Sequence, residues 1–285
     1  MSILTITNLT FREAWRKKIF WLALVLGVAF LILFAIGFHF ILIETTQHSR
    51  IAREGGSAVV NIMKNEVSGV FLILGLFAVN FLIVMMSALT SVDSISGEIS
   101  SHTIQTIATK PLRRWEIITG KLLGQTLMLI GYVIFMAGGL ILEVNLMTGY
   151  LPPNILPGLG LMILEGLIVF SITALGGTYL STLANGVLVF MLYGIAFAGS
   201  WVEQIGAALE SETAIQVGII ASLMMPSEAM WRIASDLMQP VLIQRMNMPL
   251  INLFSKPSMA MVVYAGVYML VLLTLALRQF NKRDL

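Results

Sequence analysis

Glu165 is the only charged residue between Glu143 and Glu203. An ionisable group inside so long an apolar run has two uses. It can take up a proton or cation during translocation, or it can hydrogen-bond a neighbouring helix and hold the fold. The structural hydrogen bond is the preferred reading, and Glu143 reads as a group at the membrane interface. Other chemically capable residues are scarce. The histidines are His39, His48 and His102, in three different surroundings, with no His-Glu-x-x-His run and no carboxylate pair at metal spacing. No Gly-x-x-x-x-Gly-Lys-Ser/Thr stretch is present to cradle a phosphate. With no cysteine, there is no disulfide framework or thiolate site. The sequence therefore predicts no catalytic residue, no metal site and no cofactor of its own. The 18 methionines could contact a soft metal, but spread through apolar runs they read as packing or lipid-facing filler.

The second concentration of chemistry is a polar interruption between apolar runs. It reads Gly97-Glu98-Ile99-Ser100-Ser101-His102-Thr103-Ile104-Gln105-Thr106, then Lys110-Pro111-Leu112-Arg113-Arg114-Trp115-Glu116, closed by Gly120-Lys121. Residues 98–107 lack Gly and Pro and place Ile99, Thr103 and Ile107 on one face, which predicts a short helix. Pro111 ends it, because its ring clashes with the carbonyl four residues earlier. Arg113, Arg114 and Lys121 then bring the chain back beside phosphate headgroups. Glu98 gains nothing from anionic lipid, so a salt bridge within or between subunits suits it better. A polar segment of this kind can dock on a soluble partner and transmit a rigid-body push.

The elements that position these residues follow from composition. Of 285 residues, 58% are hydrophobic and 11% charged, and the mean hydropathy is +0.90. A soluble domain carries about 25% charged residues, so the chain reads as an all-α polytopic membrane protein, a single transmembrane domain over 1–285. A crossing helix needs about 20 apolar residues. Six are predicted, over about 19–43, 67–92, 119–147, 155–182, 186–206 and 257–278. The fourth and fifth are divided at Leu183-Ala184-Asn185-Gly186, a turn signal. Thr213 to Ser227 is too short to cross and suits a re-entrant or interfacial helix within an external segment, 207–256. There Met230, Trp231 and Leu237 alternate with Arg232, Ser235 and Asp236, which predicts amphipathic helices resting on the outer face.

Basic residues set the orientation. Arg12, Arg16, Lys17, Lys18, Lys110, Arg113, Arg114, Lys121, Arg278, Lys282 and Arg283 fall on the side of the termini, close to span ends. Arg50, Arg53, Lys64, Arg232, Arg245 and Lys256 fall on the other. The positive-inside rule makes the first side cytoplasmic, with both termini and the 93–118 loop in the cytosol of the inner membrane. The uncharged run from Ile19 to Ile43 exceeds a signal-peptide core of about 7–15 residues, so it reads as a span. Before it, residues 3–18 predict an interfacial helix. Thr10-Phe11-Arg12-Glu13 has capping-box spacing, and Phe11, Trp15 and Ile19 recur on one face toward lipid. An ordinary positive flank of a span is the alternative. Gly120-x-x-x-Gly124 and Gly194-x-x-x-Ala198 allow close backbone approach, without saying between which helices.

Glu98 to Lys121 resembles the signature of type-2 ABC (ATP-binding-cassette) transporter permeases. Glu98, Thr103, Pro111, Arg114, Gly120 and Lys121 match that pattern in order and spacing, while His102 stands where the family usually has Gly. The order of interfacial helix, six spans, charged loop and large external segment is similar as well. Within the family, Pro226-Ser-Glu-x-x-Trp-Arg looks most like permeases of the copper-processing system of nitrous oxide reductase. The resemblance implies that Glu98, Thr103, Thr106, Pro111 and Arg114 form a coupling helix and its base, engaging a separate ABC ATPase that binds ATP and Mg. It implies two permease copies, as a homodimer or as a heterodimer with a related permease. It places Asn80 on span two and Tyr193 on span five toward a substrate pathway, to which Glu165 is a further candidate, and makes the external segment a lid of re-entrant helices. The function expected is that of an ABC exporter subunit in contact with membrane lipid, with no nucleic-acid partner. Two other classes are weighed against it. An ion-coupled secondary transporter or channel commonly has two similar halves and midplane charges. Here only the first half has a charged loop and only the second a long external segment. A membrane scaffold for a partner enzyme is the other. The substrate is not legible in the sequence.

Overall fold

Inside lipid a backbone can satisfy its N–H and C=O groups only within its own helix, so long apolar runs become helices. The computed structural model describes residues 3–16, 18–51, 57–100, 114–240 and 257–282. Its helices are α1 (Ile3–Arg16), α2 (Lys18–Ile51), α3 (Ser57–Ser100), α4 (Arg114–Val133), a π-helical turn (Ile134–Gly138), α5 (Gly139–Thr148), α6 (Ile155–Tyr179), α7 (Thr182–Ala208), α8 (Glu212–Met224), α9 (Ser227–Met238) and α10 (Met259–Lys282). No strand occurs among the described residues. Six stretches are long and apolar enough to cross a membrane: Lys18–Glu44, Lys64–Val92, Ile118–Thr148, Ile155–Tyr179, Thr182–Ala208 and Met259–Phe280, spans one to six. Six crossings leave α1 and the end of α10 on one face, called terminal here, and residues 209–240 toward the opposite, distal face.

Span four is the central post. Gly158, Met162, Glu165, Gly166, Val169, Thr173 and Gly176 line one buried face, and from Ile168 to Ala174 every residue is buried. Small residues let neighbours in: a Cβ on Gly166 would lie 2.9 Å from Leu129 of span three. Ser87 of span two donates to the Gly166 carbonyl at 2.7 Å. Span three widens at its π-helical turn, which buries Met136 and Ala137. The Met136 sulfur then lies where a Cβ on Gly27 of span one would be, 2.5 Å away.

The break between spans four and five falls earlier than the sequence suggests. Ser181 caps α7, its Oγ accepting from the Ala184 amide at 3.5 Å. Asn185, expected in the turn, is instead fully buried in the first turn of span five. Its amide donates to the Thr173 carbonyl at 2.9 Å, and its side chain occupies the space that a Cβ on Gly176 would need. Asn185 is a clamp between helices, because a tertiary partner outweighed its turn propensity.

The N-terminal helix also differs from expectation. Thr10 is no cap, since α1 begins at Ile3 and the Thr10 hydroxyl donates to the Ile6 carbonyl one turn back at 2.9 Å. Phe11, Trp15 and Ile19 are exposed as predicted, while Ile6 and Thr10 are buried on the other side. That side packs on span three. Thr7 donates to the Gly120 carbonyl at 3.1 Å, and a Cβ on Gly124 would lie 2.8 Å from that of Thr10. Lys121, expected among headgroups, is buried at this junction, only 8% exposed.

The distal segment departs furthest from its predicted surface position. α9 is enclosed, with Ser227 to Ala234 buried without interruption, so it is packed into the bundle. Met238 fills the space beside Gly158 of span four, and the Asn154 amide donates to the Leu237 carbonyl at 3.2 Å. Of its polar side chains, Arg232 finds a partner inside, Glu203 of span five. α8 packs back along span five as a tight hairpin. A Cβ on Gly199 would overlap that of Ala221, and one on Gly218 would overlap that of Glu203.

Candidate translocation core

Two polar clusters occupy the interior, joined at α9. The first is at mid-span. Asn80 of span two donates from Nδ2 to Glu165 Oε1 at 2.9 Å, with Asn80 2% exposed and Glu165 fully buried. The hydrogen bond anticipated for Glu165 is therefore present. Its other oxygen, Oε2, and Asn80 Oδ1 have no partner. Tyr193 of span five is buried and lies within electrostatic reach of Glu165 and Glu228. The three residues singled out as a pathway thus belong to one neighbourhood.

The second cluster was missed. Glu228 and Arg232 stand one turn apart on α9, and both are buried. The Arg232 guanidinium donates to Glu203 Oε2 of span five at 2.9 Å, each side chain 5% exposed. Burial pushes the Glu228 carboxyl up to about 7, against the smaller opposing pull of Arg232. The four-residue spacing of Glu228 and Arg232 was the available signal. Interspersed apolar residues suggested a lipid-facing amphipathic helix instead.

Aromatic side chains border both clusters. Phe77 of span two approaches Trp231 of α9 at 5.9 Å and Phe197 of span five at 6.5 Å between ring centroids. Phe197 also stacks on Tyr193 at 6.4 Å. Toward the terminal face, an open apolar groove of about 810 Å³ runs between spans one, two and five, lined by Ile19, Leu89, Leu183, Val187, Phe190 and Met191 among others.

The residues expected at a coupling site fall at the edge of the description or beyond it. Glu98 lies in the last turn of α3 and Arg114 opens α4, with their side chains outside the described set. Thr103, Thr106 and Pro111 lie outside the described residues, as does most of the expected 98–107 helix. Glu143 is half-buried near the end of span three. No group of three or more His, Cys, Asp or Glu able to hold a metal occurs among the described residues.

These features define a multi-pass, all-helical membrane protein with an acid-rich polar interior. The family model described as ABC-2 family transporter protein matches residues 4–285, so the chain belongs to that family. It is thus the membrane subunit type of an ABC transporter, a transport component and not itself the catalyst. No curated protein matches the chain.

Proposed function

We propose that this chain is the permease of an ABC exporter in the cytoplasmic membrane, powered by a separate ATPase and working as a homodimer with both termini cytosolic. Family membership over residues 4–285 carries the reading, supported by a sequence without a phosphate-cradling run. ATP and Mg belong to the partner. The coupling contact falls on Glu98, Thr103, Thr106, Pro111 and Arg114, in the charged loop that follows span two. The pathway follows spans two and five, from the apolar groove past Asn80, Glu165 and Tyr193, with α9 as the distal plug. The Pro226 to Arg232 run supports kinship with permeases of the nitrous oxide reductase copper-processing system, which makes a precursor for a sulfur or copper site one candidate cargo.

Co-expression with an ABC ATPase tests the reading. The purified permease alone is expected to hydrolyse no ATP, and the pair to co-purify and hydrolyse it. Robust hydrolysis by the lone chain would overturn the assignment. Glu98→Gln should leave insertion and ATPase binding intact while substrate-stimulated hydrolysis falls sharply. Because the chain has no cysteine of its own, Thr106→Cys and Ser211→Cys should label from opposite sides of the membrane.

A further inference from the structure

The charged groups buried among the described residues are Lys121, Glu165, Glu203, Glu228 and Arg232. Lys121 belongs to the start of α4, at the terminal face. The others form a chain through the distal half of the core: three carboxylates against one guanidinium. Arg232 pairs with Glu203 at 2.9 Å, so among the described residues three buried carboxylates share one guanidinium. They lie close enough to repel one another when both are ionised.

An isolated ion in an apolar interior is far too costly to persist and takes up compensating charge instead. The hydrogen bonding points the same way. Glu165 Oε2, Glu228 Oε2 and Asn80 Oδ1 are buried acceptors without a hydrogen-bond partner among the described residues. A protonated carboxyl is itself a donor and supplies what such acceptors lack. The burial of Glu165 and Glu228, fully buried and 4% exposed, favours the smallest cation over a hydrated metal.

We propose that Glu165 and Glu228 form a proton-binding site, and that the bound proton latches α9 into the bundle between spans two, four and five. Protonated, the pair is compatible with the packed position of α9. When both lose their protons to water, two like charges oppose each other in a low-dielectric interior, and α9 moves toward the distal face.

The groups facing the pair are few. Arg232 and Asp236 share α9 with Glu228, span five contributes Tyr193 and Glu203, and span two contributes Asn80. From span six, Tyr264 and Tyr268 donate to the Leu223 and Met224 carbonyls of α8 at 2.7 and 2.8 Å. Glu212 of α8 is exposed. Of the ionisable groups of span three, Tyr132 turns its hydroxyl to the Ala23 carbonyl of span one, Glu143 is half-buried toward the distal end and Lys121 stands at the terminal end. Among these groups Arg232 is the cation whose charge draws the Glu228 carboxyl down, against the larger upward push of burial.

Infrared difference spectroscopy of the full chain in lipid nanodiscs tests the site without any variant. A protonated-carboxyl band is expected at about pH 5 and its loss by about pH 9. Glu165→Gln and Glu228→Gln should each remove part of the band, and the double variant should remove more than either alone. Exchanging sodium for an organic cation at fixed pH should change nothing. Spin labels on Asp236→Cys and Glu210→Cys should report a longer distance at alkaline pH in the otherwise unaltered chain. In the double glutamine variant, which mimics the protonated pair, the distance should stay at its acidic value. A missing band at about pH 5, a band undiminished in the double variant, a sodium-dependent band or a pH-independent distance would each overturn the proposal. None of these readouts depends on the ATPase or the cargo.

Discussion

Asn80 and Glu165 face each other across the centre of the bundle, one amide N–H on one carboxylate oxygen at 2.9 Å. Glu165 Oε2 and Asn80 Oδ1 are buried and have no hydrogen-bond partner. The pair ties span two to span four at the depth where an unmatched polar group is hardest to accommodate.

Truncating one side of that pair should therefore cost more than removing both. Asn80→Leu leaves Glu165 buried without its donor, a loss of about 1–3 kcal/mol. Asn80→Leu combined with Glu165→Leu should recover much of the lost stability, because two apolar side chains leave nothing unsatisfied. Thermal unfolding in detergent, followed by tryptophan fluorescence, checks this. Additive losses in the double variant would contradict it.

The Arg232–Glu203 pair should behave as a strongly coupled unit. Both side chains are 5% exposed, and a buried ion pair broken on one side typically costs about 3–5 kcal/mol. Arg232→Met and Glu203→Gln are each expected to lower the unfolding midpoint markedly. The double variant should lose much less than the sum, which a double-mutant cycle measures directly.

Glu228 makes stability pH-dependent in a definite direction. The fold raises this carboxyl from 4.5 to about 7, mainly by burial, so the protonated form is the one the fold favours. Its stabilising contribution is complete below about pH 4.5 and is lost as the pH climbs through about 7. The unfolding midpoint should fall across that window, and the fall should be smaller in Glu228→Gln. A midpoint that rises over the same range would contradict the assignment.

Glycines of span five separate into two kinds. Gly199 faces Ala221 with no room for a methyl group, whereas nothing lies within 4 Å of a Cβ at Gly194. Gly199→Val should overpack the hairpin and cost about 1–3 kcal/mol. Gly194→Val should leave the stability of the single chain unchanged. If two copies meet along this exposed face, Gly194→Val should weaken the dimer, which cross-linking of an introduced cysteine pair reads separately.

What the sequence made legible was what lipid imposes locally. Run length and charge gaps locate helices because an uncharged stretch of about 20 residues has few other options. Glu165 stood out for the same reason, as a lone charge in an apolar run. What escaped was set by tertiary partners. Asn185 carries a turn-forming signature and was recruited to a neighbouring carbonyl instead. Thr10 carries a cap signature, but the helix had begun earlier. α9 reads as amphipathic, and its polar face meets Glu203 and span four where water was expected. Periodicity says that one face is polar and says nothing of what that face meets.

The near-contact of backbones between α7 and α8 has a mechanical meaning. With Gly199, Ala221, Gly218 and Glu203 interlocked, span five and α8 have little freedom to slide past each other, and the Glu203–Arg232 pair fastens α9 to the same stem. Span five with its distal attachments then moves as a lever arm. A tilt imposed at the terminal end of span five would therefore carry α8 with it without slack.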